Sequence, residues 1–372
     1  MMDSSQISTK IISIDPSHFE NRQLHEAVEI LQNEGIVAFP TETVYGLGAS
    51  ALSEKAINKI YIAKGRPLDN PLIVHIESME MLETIVKEIP EEIRKLCNVF
   101  WPGPLTILFL RNKKIPDCVT AGLPTVAVRM PQNPIALRLI SLSKIPIAAP
   151  SANISGRPSP TTAAHVKNDF EGKIPLIIDG GSCPVGVEST VLDVHRNPPL
   201  ILRPGGVNYE DLKKYLPNLK IYEKHYKNQE LKKKPPSTPG LKYRHYSPKA
   251  RVILIENSQV IPKTHIHDLI KEYSIQGKIG YIHTSDEIHL NSQQLDLLGD
   301  SFIDLTHYSD DELINNQEEK KAKYAYIAQK IFWALRKLDN LQVQFIIIEG
   351  ITEDFSGLAV MNRLRKAAWK II

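Results

Sequence analysis

Short, near-continuous apolar runs alternate with amphipathic segments along most of this chain. The runs are IVAFP (36–40), PLIVHI (71–76), TILFL (106–110), PTVAVRMP (124–131) and IPIAAP (145–150), followed by PLIIDGG, VESTVLDV and PLILRPGG. Apolar side chains at consecutive positions imply burial on both faces of a strand, as in a sheet covered by helices on each side. Between the runs, residues 21–34 set Leu24, Ala27, Val28 and Leu31 on one helical face, and Gly35 is placed to end that helix. Ser53 is placed to cap a helix that carries Ala56, Ile57, Ile60 and Tyr61 and delivers Lys64 to its C-terminal end. Helices are also predicted over 91–100 and NPIALRLISLS, and Thr161 or Thr162 can cap another. The alternation predicts an α/β domain with a mixed, well-covered sheet, ending near Leu216.

The pattern then lapses and restarts. Residues 217–250 show neither period, and KKKPPSTPGLKYRHYSPKA contains four prolines, so the stretch reads as a linker. Residues 224–251 hold nine Lys or Arg against one acid, Glu230, yet Tyr243, His245 and Tyr246 interrupt the charge. Aromatic residues in a spacer suggest a segment that folds back over a pocket. From 251 onward RVILIEN, KIGYIH, SFIDLTH and VQFIIIEG read as strands, a long helix as 317–338, and LAVMNRLRKAAWK as a closing amphipathic helix. That alternation predicts a smaller parallel sheet of Rossmann-like topology, but without a GxGxxG after its first strand it is no dinucleotide site.

Composition narrows the class. Of 372 residues, 42% are hydrophobic and 23% charged, with a net charge of +3, so nothing global demands nucleic acid. Cys97, Cys118 and Cys183 are far apart, which argues against a zinc site or a disulfide framework and fits a reducing cytoplasm. There is no signal-peptide pattern at the N-terminus and no apolar run of membrane-spanning length.

Candidate chemistry concentrates in a few stretches. In 36–76 an apolar strand leads to a polar turn with Gly46 and Gly48, then to Lys64 and Arg66 around Gly65, then to Asn70 and His75. Glycine permits close backbone approach and Lys/Arg match phosphate charge, so this is a candidate anion pocket. SANISGRPSPTT follows a strand directly and is rich in hydroxyls and backbone donors, the place where open α/β sheets bind ligands. Arg129 and Arg203 end strands and can clamp a carboxylate, or else form surface ion pairs. GxxxxGK[ST], GxSxG and HExxH are all missing, so an enzyme built on this sequence works by holding charged substrates in place.

PTETVYGLG, KGRP with NPLIVH, PTVAVRMP, APSANISGRPSPT, VESTVLD and ILRPG, in that order, resemble the YrdC-type threonylcarbamoyl-AMP synthase family. STPGLKYRHYSP and GLAVMNRLRKAA resemble its two-domain long form. The resemblance implies a YrdC-like twisted mixed-sheet domain over 10–216, a basic linker or lid over 217–250, and a Rossmann-like domain over 251–372. It implies synthesis of L-threonylcarbamoyladenylate from L-threonine, bicarbonate or CO2, and ATP with Mg²⁺, releasing pyrophosphate. The product would feed a separate transferase that modifies ANN-decoding tRNA. Carried over by position, Thr43, His75, Arg129, Ala149 (through its backbone) and Ser189 would contact threonine. Lys64, Arg66, Asn70, Thr125, Ser151, Asn153, Ser159 and Arg203 would line the ATP side, with Lys64 and Arg66 reaching the reacting centre and Tyr243 closing over the nucleotide.

Two other readings compete. A double-stranded RNA-binding module would use Lys64, Arg66 and Arg203 as phosphate contacts, but has no need of a threonine-sized pocket. Related domains serve carbamoyl transfer in hydrogenase maturation, but those proteins also carry cysteine-rich zinc motifs, and three scattered cysteines do not supply them.

Overall fold

The computed structural model describes residues 8–222, 245–256, 263–285, 290–307 and 316–372. They fall into two compact units. The first takes the described residues up to Tyr222 except 156–158; the second takes 156–158 and the described residues from His245 onward.

The first unit is one eleven-stranded mixed sheet. Its strands are β1 (Lys10–Ser13), β2 (Val37–Phe39), β3 (Gly46–Ser50), β4 (Ile73–His75), β5 (Leu105–Leu110), β6 (Thr125–Arg129), β7 (Ile147–Ala148), β8 (Leu176–Asp179), β9 (Thr190–Asp193), β10 (Leu200–Arg203) and β11 (Lys220–Ile221). They lie in the order β1-β8-β2-β3-β7-β4-β6-β5-β9-β10-β11. Burial alternates across the sheet as the pleat requires. Val37, Phe39, Leu176 and Ile178 join Leu24, Leu31 and Leu139 in one core, while Ala38, Ile177, Val74 and Val128 join Ile57, Ile60 and Phe109 in the other. β11 pairs in parallel with β10, so the first sheet continues beyond Leu216.

Local signals set the helix that matters most for the site, Glu54–Lys64. Ser53 Oγ accepts from Ala56 N at 3.2 Å. At the other end Gly65 sits at φ 58°, and Arg66 N donates to the Tyr61 carbonyl at 3.0 Å. That left-handed glycine cap reverses the chain so that Lys64 points inward and Arg66 starts the next loop.

Gly46 and Gly48 differ from expectation. They lie in β3, antiparallel to β2, and not in a ligand-facing turn. A Cβ on Gly48 would meet the Phe39 ring at 2.7 Å, and one on Gly46 would meet it at 3.2 Å. The glycines make room for an aromatic ring across the hairpin, a packing demand that a phosphate loop would mimic in sequence.

The second unit is a five-stranded, all-parallel sheet of β12 (Arg251–Ile255), β13 (Ile279–His283), β14 (Phe302–Asp304), β15 (Phe345–Glu349) and β16 (Ala368–Ile371), in the order β14-β13-β15-β12-β16. At the end of β15, buried Glu349 accepts from Tyr281 Oη (2.6 Å), Thr284 N (2.9 Å) and Ser285 N (2.8 Å) and faces His283 Nδ1 at 2.8 Å. The carboxylate thereby ties β13 to β15. The closing helix spans Gly357–Ala367, and β16 takes the residues after it. Pairing with β12 overrides the helical pattern there.

Gly205 follows β10 and packs on the backbone that opens β9. A Cβ there would lie 2.3 Å from the Glu188 carbonyl oxygen and 2.4 Å from Thr190 N. Backbone cannot rotate away as a side chain can, so Gly205→Ala is expected to destabilise the chain by about 1–3 kcal/mol. Urea denaturation of the full chain, followed by circular dichroism, checks this.

Candidate active site

Parallel pairing of β4 with β6 sets His75 opposite Arg129. β2 ends beside them, and the loop after it carries Thr41, Glu42 and Thr43, all buried. Arg129 is 3% exposed, so its charge must be met by protein. Nη1 donates to Thr43 Oγ1 at 2.8 Å and Nε to the Gly103 carbonyl at 3.2 Å. Nη2 lies 2.5 Å from Glu42 Oε1 in a buried ion pair. The pair lacks hydrogen-bond alignment, since neither Glu42 oxygen nor Nη2 makes a hydrogen bond. Thr41 Oγ1 lies 2.9 Å from Thr43 Oγ1 and donates to the Val44 carbonyl at 2.6 Å, which fixes the turn.

His75 packs edge-on against Phe39, ring centroids 6.0 Å apart, and its Nδ1 has no hydrogen-bond partner. Burial, and then the Arg129 cation, push its pKa down to about 3, so the ring is neutral at physiological pH. Ala149 N donates to the Ile73 carbonyl at 2.9 Å, so that backbone donor is committed to the sheet. Ser189 Oγ lies 2.7 Å from Thr106 Oγ1. Arg203 wraps the same residue, donating from Nε (3.2 Å) and Nη2 (2.9 Å) to the Ser189 carbonyl and from Nη2 to its hydroxyl (3.2 Å). Arg203 is thus a buried partner of Ser189, not a surface ion pair.

A second group surrounds Lys64, which is 2% exposed. Its Nζ donates to the carbonyls of Ser151 (2.5 Å) and Asn153, so the amine holds the SAN loop by its backbone. Ser151 Oγ in turn donates to Asn153 Oδ1 at 2.5 Å, and Ser151 bridges to Gly46 of β3. Ser159 Oγ donates to Glu188 Oε1 at 2.5 Å. Arg66 braces its own loop through the carbonyls of Asn70 (3.1 Å) and Pro71 (2.9 Å). Asn70 is buried with Oδ1 unbonded. Thr125 opens β6, and by the Ile73–Ala127 register it lies beside Pro71. Thr125, Arg66 and Asn70 therefore sit near the N-terminal ends of β4 and β6, a strand length from His75 and Arg129. Tyr243 lies outside the described residues.

Glu42, Glu188 and Thr106 were not singled out in the sequence, although each contacts a residue that was. Glu42 had one available signal: a carboxylate between two threonines at a strand end. Cys183 is buried, and burial pushes its thiol well up, so it stays protonated and is no nucleophile. Among the described residues no three His, Cys, Asp or Glu side chains group to hold a metal ion, and no helix is long and apolar enough to cross a membrane.

Residues 207–369 match the family model described as "Threonylcarbamoyl-AMP synthase, C-terminal domain", and residues 29–205 one described as "Telomere recombination". The Pyrococcus abyssi threonylcarbamoyl-AMP synthase is 46% identical over 94% of this chain and 95% of its own length. The chain belongs to the threonylcarbamoyl-AMP synthase family. The Bacillus subtilis member is 42% identical over 93% of both chains. A crystal structure of P. abyssi Sua5 complexed with L-threonine superposes with a TM-score of 0.85 at 44% identity, covering 98% of this chain and 99% of that one. Membership of the family and the two-sheet architecture both agree with the resemblance read from the motifs.

His75 also carries a stability signature. Its folded pKa lies below the ordinary value of 6.5, so between pH 6.5 and about 3 the unfolded chain binds the extra proton. The stability this neutral ring contributes is complete above pH 6.5 and drains as pH falls, at up to about 1.4 kcal/mol per pH unit. His75→Gln is expected to show a shallower fall in melting temperature from pH 6.5 to 4.5 than the parent chain. Identical slopes would place the titrating group elsewhere.

Proposed function

We propose that this chain synthesises L-threonylcarbamoyladenylate from L-threonine, bicarbonate or CO2, and ATP, releasing pyrophosphate. The observation that carries the reading is a set of buried polar atoms without hydrogen bonds on the residues the motifs single out and their neighbours: His75 Nδ1, Arg129 Nη2, the Glu42 carboxylate, Asn70 Oδ1 and Ser155 Oγ. Buried polar groups are normally hydrogen-bonded, so the open positions on His75 and on the Glu42–Arg129 ion pair suit a polar, charged ligand. Related synthases support the substrates, and one relative has been solved with L-threonine. Bound RNA would reach surface cations; it has no use for a buried Glu42–Arg129 pair or a buried His75.

In this reading Arg129 takes the threonine carboxylate, with Thr43 and the Gly103 carbonyl holding the guanidinium in orientation. Neutral His75 and the Ser189 hydroxyl face the threonine side chain, and Arg203 holds Ser189 in place. The threonine nitrogen is carboxylated to a carbamate, whose oxygen attacks the α-phosphorus as pyrophosphate leaves. Lys64 and Arg66 meet the charge that develops on phosphate oxygens, and Lys64 also holds the Ser151–Asn153 loop. Mg²⁺ enters with ATP as part of the substrate and neutralises phosphate charge when bound. The adenylate is a reactive mixed anhydride, and a separate transferase that modifies tRNA would consume it.

Incubation with ATP, Mg²⁺, bicarbonate and single amino acids tests the proposal. Pyrophosphate release with threonine, and the adenylate by mass spectrometry, are expected; release independent of the amino acid would overturn it. Arg129→Ala is expected to raise the KM for threonine by at least about tenfold while moving that for ATP far less. Equal effects on both would remove Arg129 from the carboxylate role. Lys64→Ala is expected to abolish pyrophosphate release, and near-parental turnover would exclude it from the reacting centre.

A further inference from the structure

We infer that Glu42 receives the α-ammonium of threonine and accepts the proton that amine must lose before it can be carboxylated. The inference rests on the threonine reading above and adds to it a residue that neither the motifs nor that reading assigned.

Glu42 is 4% exposed, and its charge is met by Arg129, 2.5 Å away. Neither of its oxygens accepts a hydrogen bond, although Thr41 and Thr43 flank it in the same turn. A structural buried carboxylate collects hydrogen-bond donors, as Glu349 does in the second unit with two backbone N–H groups, a tyrosine and a histidine. Glu42 has a counter-ion and empty acceptor sites, which is the arrangement a cationic hydrogen-bond donor would complete.

Threonine is such a donor, and its two charges mirror the pair already present. Its carboxylate matches Arg129, and its ammonium matches Glu42. Arg129 and Glu42 together are neutral, as is the zwitterion, so the loaded corner stays neutral. Without Glu42 the closed corner would hold a cation with no opposing charge, and a buried unpaired charge is expensive.

The chemistry needs the same group. An ammonium nitrogen has no lone pair with which to attack carbon. Ammonium and bicarbonate give carbamate, water and one proton. One N–H bond of the ammonium breaks first, leaving its electron pair on nitrogen and its proton on a Glu42 oxygen. That pair forms the N–C bond, while the C–O bond to the bicarbonate hydroxyl breaks and the hydroxide leaves as water with a second N–H proton. His75 is the other base in this corner, but burial and the Arg129 cation keep it from taking a proton.

The test compares two ligands on the full chain: L-threonine, and 2,3-dihydroxybutanoate of the same configuration, in which a hydroxyl replaces the ammonium. Affinities are read by calorimetry for the parent and for Glu42→Gln, which keeps shape and removes charge. The parent is expected to prefer threonine by at least about tenfold, and Glu42→Gln to lose that preference while binding the hydroxy acid within about threefold of the parent. A preference that survives in Glu42→Gln, or an equal weakening of both ligands, would overturn the inference and leave Glu42 a structural partner of Arg129. Should Glu42→Gln not fold, Glu42→Asp takes its place. It is expected to keep the preference for threonine while turnover falls at least about tenfold, because the carboxylate is withdrawn by one methylene. Undiminished turnover in Glu42→Asp would overturn the proton-acceptor role. A parent chain that binds neither ligand would instead defeat the threonine reading itself.

Discussion

The buried guanidinium of Arg129 constrains everything around it. A cation at the end of a central strand, almost closed off from water, must be met on each side. Thr43 and the Gly103 carbonyl take two of its nitrogens, and Glu42 faces the third. The same cation reaches across the β4–β6 register to His75 and helps hold that ring neutral. One residue therefore settles the protonation state, the hydrogen-bond roles and the charge balance of the corner read as the threonine site.

The group around Lys64 works differently. There the buried cation is spent on backbone carbonyls of Ser151 and Asn153, so removing it disturbs the loop as well as the charge. Arg66 likewise braces the carbonyls of Asn70 and Pro71. These residues hold the shape of a polar wall by bonding its backbone, and Asn70 Oδ1 and Ser155 Oγ stay without hydrogen bonds. Such a site gains rate by placing reactants and meeting developing charge, without a covalent nucleophile. The buried, protonated thiol of Cys183 fits that division of labour.

Much of the fold was legible because strands buried on both faces leave continuous apolar runs, and capped helices leave their own marks. Ser53 and Gly65 bound the helix before the cationic loop as their chemistry suggests, and Thr162 caps the helix after the SAN loop, its hydroxyl accepting from His165 N. The glycines at 46 and 48 misled because a glycine makes room equally for a phosphate or a phenyl ring, and only the antiparallel pairing of β2 with β3 brought Phe39 over them. β16 was hidden because its residues continue an amphipathic helix in sequence, and the vacant edge of β12 decided otherwise.

By itself the sequence determined the alternating α/β plan, the second parallel sheet and the family, since periodicity, caps and ordered motifs are local properties. It also marked Thr43, Lys64, His75, Arg129 and Ser189. What it left undecided was which charges face each other. Glu42 lies one residue from Thr43 but 87 from Arg129 in sequence, and only the loop after β2, which reaches across to Arg129 at the end of β6, joins them. Pairing across the sheet is a long-range outcome of packing, so the electrostatics of the site belongs to the tertiary structure.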